Sequence, residues 1–343
     1  LRHLKLIMDS HFINKARQYI KCKNSSRKRI KECFYPGCLN ESINSHVLQR
    51  KGILDQISTD SHLWTFEKDV FYENEFAFKR TGLKKAFAFN CFCNTHDTEL
   101  FKEIENGDID FTSYRTNLLF TLRTVYDEIY KKMVYANTRD CLLKNETNLF
   151  DKDKLKKESE NAKLAIDDLK ILAGKILYDL DNDSQQFVIQ NRAIPQIGLC
   201  VSSFFTYETS AEIELMEKER GRELERYTEL FITIFPYKKD SQLIMAYEKI
   251  DEKKVENYVN EFFLNDHPQI CYQKITNLII FNCQNKVFND QFFNEKIKGI
   301  EYKYIEATQF MLNEQNKNER TFYNINFYNN TFKDDFVNLN FEF

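Results

Sequence analysis

Two short motifs constrain this 343-residue chain more than any other feature: Cys33-x4-Cys38 and, further along, Cys93-x2-His96. Pro36-Gly37 lies between the first two thiols, a dipeptide that favours a tight turn, with Pro setting φ and Gly accepting φ > 0. Such a turn can aim both sulfurs at one ion. The second pair has the spacing of a knuckle at a strand-to-helix junction. Three thiolates and one imidazole complete a tetrahedron, the closed arrangement of structural zinc, and a small unit with few core residues gains much folding free energy from such an ion. The spacing therefore predicts a zinc site built from Cys33, Cys38, Cys93 and His96. The competing reading is buried thiols and a surface histidine with no ion. Cys91 competes with Cys93 as a ligand, and the shorter spacing to His96 favours Cys93.

The chain has nine cysteines and no secretion signal at its start, which disfavours a disulfide framework. Cys22 falls with the N-terminal group. Cys141, Cys200, Cys271 and Cys283 are scattered singly and are expected as small core residues. No stretch approaches the roughly 18 apolar residues of a spanning helix, so the expectation is a soluble cytoplasmic protein with no membrane partner. The absence of an initial Met hints at a trimmed start, with Met8 a candidate native one.

Length favours about two domains, and 31 Phe and 18 Tyr supply ample apolar area to bury. Residues 1–31 read as a basic helix stopping near Asn24-Ser25-Ser26. Ser42–Ser45 is short and extended, and Gln49–Ile57 is helix-like. Leu63–Phe66 and Ala86–Phe92 read as strands, and Thr98–Glu105 as a helix begun by Asp97 or Thr98. From Thr112, Leu118, Leu119, Leu122, Val125, Ile129, Tyr130 and Met133 recur at spacings of three and four, a core-facing helical stripe. A charged second helix over Asp151–Leu180 completes an antiparallel hairpin. Beyond it, Ile197–Tyr207 reads as a strand, Leu230–Phe235 with Gln242–Tyr247 as a hairpin, Asp251–Leu264 as a helix and Asn277–Cys283 as a buried strand. The expected class is α+β, divided into a basic arm with a zinc domain (1–110), a helical connector (111–185) and an α+β domain (186–343). The last holds no motif with recognisable chemistry; its expected role is to sense a trigger, bind a partner protein or pair with a second copy.

Charge is uneven. Residues 1–51 hold 12 Lys and Arg against 3 Asp and Glu, a net +9, whereas the whole chain is −3. The densest run is Lys21, Lys23, Arg27, Lys28, Arg29 and Lys31. A basic run beside a metal-type cluster is the footprint of phosphate-backbone contact, although charge runs are commonly solvated helix faces. Trp64, His62, Phe71 and Tyr72 can stack on bases or complete a small core.

Between the ligand pairs lies Ser45-His46, and Asp97 follows the second pair directly. In this arrangement the sequence resembles the zinc-containing HNH, or ββα-metal, nucleases such as the phage junction-resolving endonucleases. Together with Leu100-Phe101-x2-Ile104-Glu105 it also looks like a bacterial family of uncharacterised HNH-like proteins, over about residues 30–106. The resemblance implies a ββα-metal-like fold, with His46 as the base that activates water and Asp97 holding Mg2+ or Mn2+ at a scissile phosphate of DNA or RNA. It also suggests a role in bacterial defence against phage. Ser45 departs from the pattern, because the family places a metal-binding acid or His there; Glu41, Asp55 or Glu99 are the acids available to compensate. Asp97 also suits an N-cap, and His46 a structural role. The alternative expectation is a non-catalytic zinc module that binds nucleic acid or protein.

Overall fold

The computed structural model describes residues 10–68, 76–105, 107–145, 149–220, 226–264, 266–314 and 323–341. Met8, Phe71 and Tyr72 lie outside them. The chain opens with α1 (Ser10–Arg29) and β1 (Asn44–His46), then a π-turn at Arg50–Leu54 leading into α2 (Asp55–Ile57). β2 (His62–Lys68), β3 (Phe76–Gly82) and β4 (Ala88–Asn90) precede α3 (Asn94–Leu100) and α4 (Lys102–Glu105). Two long helices follow, α5 (Tyr114–Leu143) and α6 (Lys152–Asn182). The remainder is β5 (Phe187–Pro195), β6 (Leu199–Thr206), α7 (Ser210–Arg220), β7 (Glu229–Tyr237), β8 (Asp240–Glu248), α8 (Glu252–Asn260), α9 (Pro268–Phe281), β9 (Lys286–Phe288), α10 (Asp290–Phe292), α11 (Glu301–Glu314) and α12 (Phe332–Val337). The class is α+β, as the sequence implies.

β1 and β4 form their own two-stranded antiparallel sheet, with Ser45 opposite Phe89 and His46 opposite Ala88. The chain between them leaves this unit and builds β2 and β3 into a seven-stranded sheet of order β3-β2-β9-β6-β7-β8-β5. β9 is the join: Phe288 pairs with both Trp64 and Leu199, and Val287 with Thr65 and Cys200. Strands from residues 62–82 and 187–288 thus share one hydrogen-bonded sheet. Trp64 is fully engaged there, stacked on Phe293 at 3.7 Å and donating its indole N–H to Asp290 Oδ1 at 2.8 Å. Its aromatic face completes the core rather than waiting for a base.

One face of the sheet packs on α5, α6 and the β1–β4 unit, through Phe120, Phe231, Phe235 and Ile244 among others. The opposite face packs on α8, α9, α11 and α12 through Val255, Ile275, Ile279 and Phe336. Ser113 caps α5 by accepting from the Thr116 amide, and Asp151 caps α6 by accepting from the Lys154 amide, each satisfying an otherwise orphaned helix-start N–H. Of the stripe expected from Leu118 to Met133, Leu118, Leu119, Leu122, Val125 and Ile129 are buried, and Tyr130 and Met133 are half-buried against the same core.

Three expectations are corrected. Asn277–Cys283 is not a strand: Ile275, Leu278, Ile279 and Ile280 lie in α9, which opens with Pro268 at its start. A short apolar run buried all round has no period that separates strand from helix. α1 does not stop at Asn24-Ser25-Ser26, because Ser26 is buried, its hydroxyl donating back to Cys22 O at 2.8 Å and meeting the Thr138 hydroxyl at 3.4 Å. Finally, Cys22 and Cys141 form a disulfide with Cα atoms 5.6 Å apart, tying α1 to α5. Their separation of 119 residues hid the pairing from sequence. Closing a loop of that length restrains the unfolded chain by about 5 kcal/mol on a chain-entropy account. Thiol titration of metal-stripped, denatured protein without reductant should therefore count the seven free cysteines; a count of nine would refute the bridge.

Candidate metal centre and its charged neighbours

The zinc motifs flank β1 and β4 in the chain and meet at one end of the unit, where Asn44 pairs with Asn90. The Cys38 amide donates to Tyr35 O at 3.0 Å, closing a turn in which Gly37 has φ +76°, the left-handed value that position i+2 of a type II turn requires. The strand end beyond β4 zips to this loop: the Phe34 amide donates to Cys91 O and the Ile43 amide to Phe92 O, both at 2.7 Å. Cys93 then caps α3. The ligand atoms of Cys33, Cys38, Cys93 and His96 all lie within 4.8 Å of one another.

Three edges of this cluster lie close to those of a metal-centred tetrahedron. Metal–ligand bonds of ~2.3 Å to sulfur and ~2.0–2.1 Å to nitrogen at tetrahedral angles put S···S near ~3.8 Å and S···N near ~3.5 Å. Cys38 and Cys93 sulfurs are 3.9 Å apart, and His96 Nδ1 lies 3.4 Å from Cys33 Sγ and 3.3 Å from Cys93 Sγ. Outer contacts fix the ligands. The Cys93 amide donates to Cys33 Sγ at 3.3 Å, and the Tyr35 ring stacks on His96 at 4.0 Å. Burial pushes the Cys33 thiol up to about 11, whereas the backbone hydrogen bond from His96 leads the contacts that hold Cys93 at about 6. The donor set is consistent with structural zinc. Cys91 is fully buried, away from the ion position, and burial holds its thiol well above the usual range.

His46 on β1 and Asp97 on α3 lie within electrostatic reach of each other. His46 Nε2 lies 2.8 Å from Leu83 O; a carbonyl only accepts, so Nε2 carries the proton and Nδ1 is left as the basic nitrogen. Burial lowers the His46 pKa below 6.5, opposed by the Leu83 carbonyl and Asp97 and reinforced by Arg50 and Arg123. Asp97 is not an N-cap, a correction to the expected helix start. The Cys93-x2-His96 knuckle is itself helical, with the Asp97 amide donating to Cys93 O at 2.9 Å, so α3 begins at Asn94 and Asp97 falls in its first turn. The helix also breaks at Phe101, leaving α4 separate.

Arg123 of α5 is the residue that sequence reasoning missed. It is 1 % exposed, lies over the Phe101 ring at 4.2 Å, and reaches Glu105 at 2.5 Å and Asp97 Oδ1 at 3.6 Å. Its Nε and the Asp97 Oδ1 are both buried without a hydrogen bond. The available signal was a charged side chain within Leu118–Ile129, where the neighbouring positions face the core. Ser45 is buried, its hydroxyl without a hydrogen bond, and it points to the face opposite His46, as adjacent strand residues do. Of the compensating acids, Glu41 pairs with Lys31 at 3.9 Å, and Asp55 and Glu99 are exposed.

The basic run is set apart from His46. Lys21, Arg27, Lys28, Arg29 and Lys31 are exposed, and Lys23 is half-buried. Lys23 acts electrostatically on Tyr19, Arg27, Glu67 and Lys79, and Arg27 on Tyr130, whereas the cations acting on His46 are Arg50 and Arg123. Compared with protein-family models, curated proteins and solved structures, the chain matches none. Metal analysis of the purified chain should find one tightly held zinc, and Cys33→Ser should remove it together with the cooperative unfolding of the N-terminal unit.

Proposed function

We propose that residues 30–106 form an HNH-type nuclease centre, held in shape by one structural zinc, that hydrolyses phosphodiester bonds in nucleic acid. The observation that supports this reading is the placement of His46 on β1 and Asp97 on α3 in one electrostatic neighbourhood beside the Cys3His cluster. His46 is neutral at neutral pH and fixed through Nε2, so Nδ1 can accept a proton from water; the reaction needs such a base. Asp97 Oδ1, a buried carboxylate oxygen with no hydrogen bond, is the atom that would hold Mg2+ or Mn2+, and such ions are commonly held by one or two carboxylates with the remaining ligands from water and phosphate. The bound cation would stabilise charge on the phosphate oxygens. The exposed cations of α1 grip the phosphate backbone. A role in bacterial defence against phage belongs to the same proposal.

A second reading, a zinc-stabilised module that binds nucleic acid without cutting it, is favoured by two observations. Ser45 is turned into the core, and the Arg123 guanidinium stands beside Asp97, where it opposes a divalent cation. Cleavage assays with Mg2+ or Mn2+ on DNA and RNA separate the two. His46→Ala should reduce cleavage by at least about 100-fold while zinc content and melting are unchanged. The wild-type rate should hold above neutral pH and fall in acid only through a midpoint below 6.5, because the depressed His46 pKa keeps the free base available. Binding that weakens with salt, without cleavage of either substrate, would establish the second reading instead.

A further inference from the structure

α6 buries Leu155, Ala162, Ile166, Leu169, Leu172 and Ile176 on its inner side. Its outer side carries a second apolar row: Leu164 is 65 % exposed, Ile171 62 % and Tyr178 58 %. These residues are spaced by seven, and seven residues nearly complete two helical turns, so they form one stripe along the helix. Gly174 lies on the same exposed side. A Cβ built there would meet nothing within 4 Å, so nothing packed around Gly174 in the single chain calls for glycine. Glycine inside a helix costs about 1 kcal/mol relative to alanine, and close approach of another helix is the usual compensation.

Charge selects the occupant. Asp167 and Lys175 stand on opposite sides of Ile171 along the helix, the first exposed and the second with 38 % of its side chain exposed. We propose that this face is a homodimer interface, in which α6 of two copies pairs antiparallel about a twofold axis through Ile171. A parallel pairing would set Asp167 and Lys175 each against its own copy, whereas the antiparallel one sets each against the other. With Ile171 on the axis, Leu164 faces the partner's Tyr178, Asp168 enters the notch at the partner's Gly174, and Asp167 faces the partner's Lys175. Lys175 is bonded to Glu248 at 2.7 Å within its own chain and still has 38 % of its side chain exposed, enough to meet a second carboxylate. A C2 contact uses the same patch on both copies, which a single self-complementary stripe supplies. The pairing of one helix per copy lies at the small end of stable interfaces, about 1,000–1,200 Å² in total, so association in the micromolar range is expected. The inference stands whether or not the chain is a nuclease.

Sedimentation velocity of the full chain from 1 to 100 µM, about two decades around that range, should show a monomer–dimer equilibrium. Ile171→Asp should abolish the dimer with an unchanged melting curve, since Ile171 makes no part of the core. Cysteine placement tests the register. Ile171→Cys should cross-link to itself on mild oxidation, whereas Leu164→Cys and Tyr178→Cys should cross-link only when the two variants are mixed. A monomer throughout the concentration range, a dimer unaffected by Ile171→Asp, or self-linking of Leu164→Cys alone would each overturn the proposal.

Discussion

The burial of α5 is the constraint on which the rest of the structure depends. A helix of 30 residues touches α1, α6, the β1–β4 unit and the seven-stranded sheet, and Leu118, Leu119, Leu122, Val125 and Ile129 are essentially removed from water. At ~25 cal/mol per Å² of apolar surface, each such side chain contributes roughly 1.5–3 kcal/mol. Because neighbours surround the helix, its polar residues must find partners inside the protein. Thr124 meets Ser202 at 2.7 Å, and Asp127 meets Lys131 at 2.7 Å and Asn285 at 2.9 Å. Burial raises the Asp127 carboxyl, while Lys131 opposes that shift. Arg123 finds Glu105 and Asp97 in the same way. The charged neighbourhood around His46 is therefore part of the solution to packing α5.

That solution explains how a unit with two three-residue strands can be ordered. The β1–β4 unit owns few apolar side chains, and it gains a wall from α5, where Tyr126 meets the Phe92 ring at 4.7 Å and Tyr130 meets Phe89 at 6.4 Å. The Cys3His cluster ties together the chain entering β1 and the chain leaving β4, at the edge of the same core. Truncating both Glu105 and Asp97 would leave the buried Arg123 guanidinium without either of these acids, a change of typically 3–5 kcal/mol. The same buried guanidinium joins burial and Arg50 in lowering the His46 pKa.

Local chemistry was legible in the sequence. The ligand spacing, the Pro36-Gly37 turn, the helical stripe of α5 and the β7–β8 hairpin all follow from periods of two or 3.6 and from turn residues, and each is recovered. The hairpin turn is tighter than the segment Pro236–Asp240 suggests, since Lys238 itself adopts φ +56° and Tyr237 pairs with Asp240. What depends on distant residues was not legible. Trp64 meets Phe288 across 224 positions, Cys22 meets Cys141, and Arg123 meets Asp97; nothing near any of them in the chain names its partner. α9 fails for a different reason: complete burial erases the amphipathic signal that distinguishes a helix from a strand.

The geometry of α1 also changes what its basic run can do. Sequence suggests a free arm, but Cys22 is bonded to Cys141, Ser26 meets Thr138, and Arg27 lies within electrostatic reach of Tyr130. α1 therefore runs antiparallel to α5, and its cations form a fixed track beside residues 130–141. Arg123 lies seven to eighteen residues further back along the same helix, which at 1.5 Å per residue is about 10–27 Å. Under the nuclease proposal, a duplex rising 3.4 Å per base pair would need roughly three to eight base pairs to reach from the track to the level of Arg123, which acts on His46. Under the same proposal, a fragment too short to span that distance would lose one set of contacts, which would couple binding at the track to chemistry at His46 through the length of the nucleic acid.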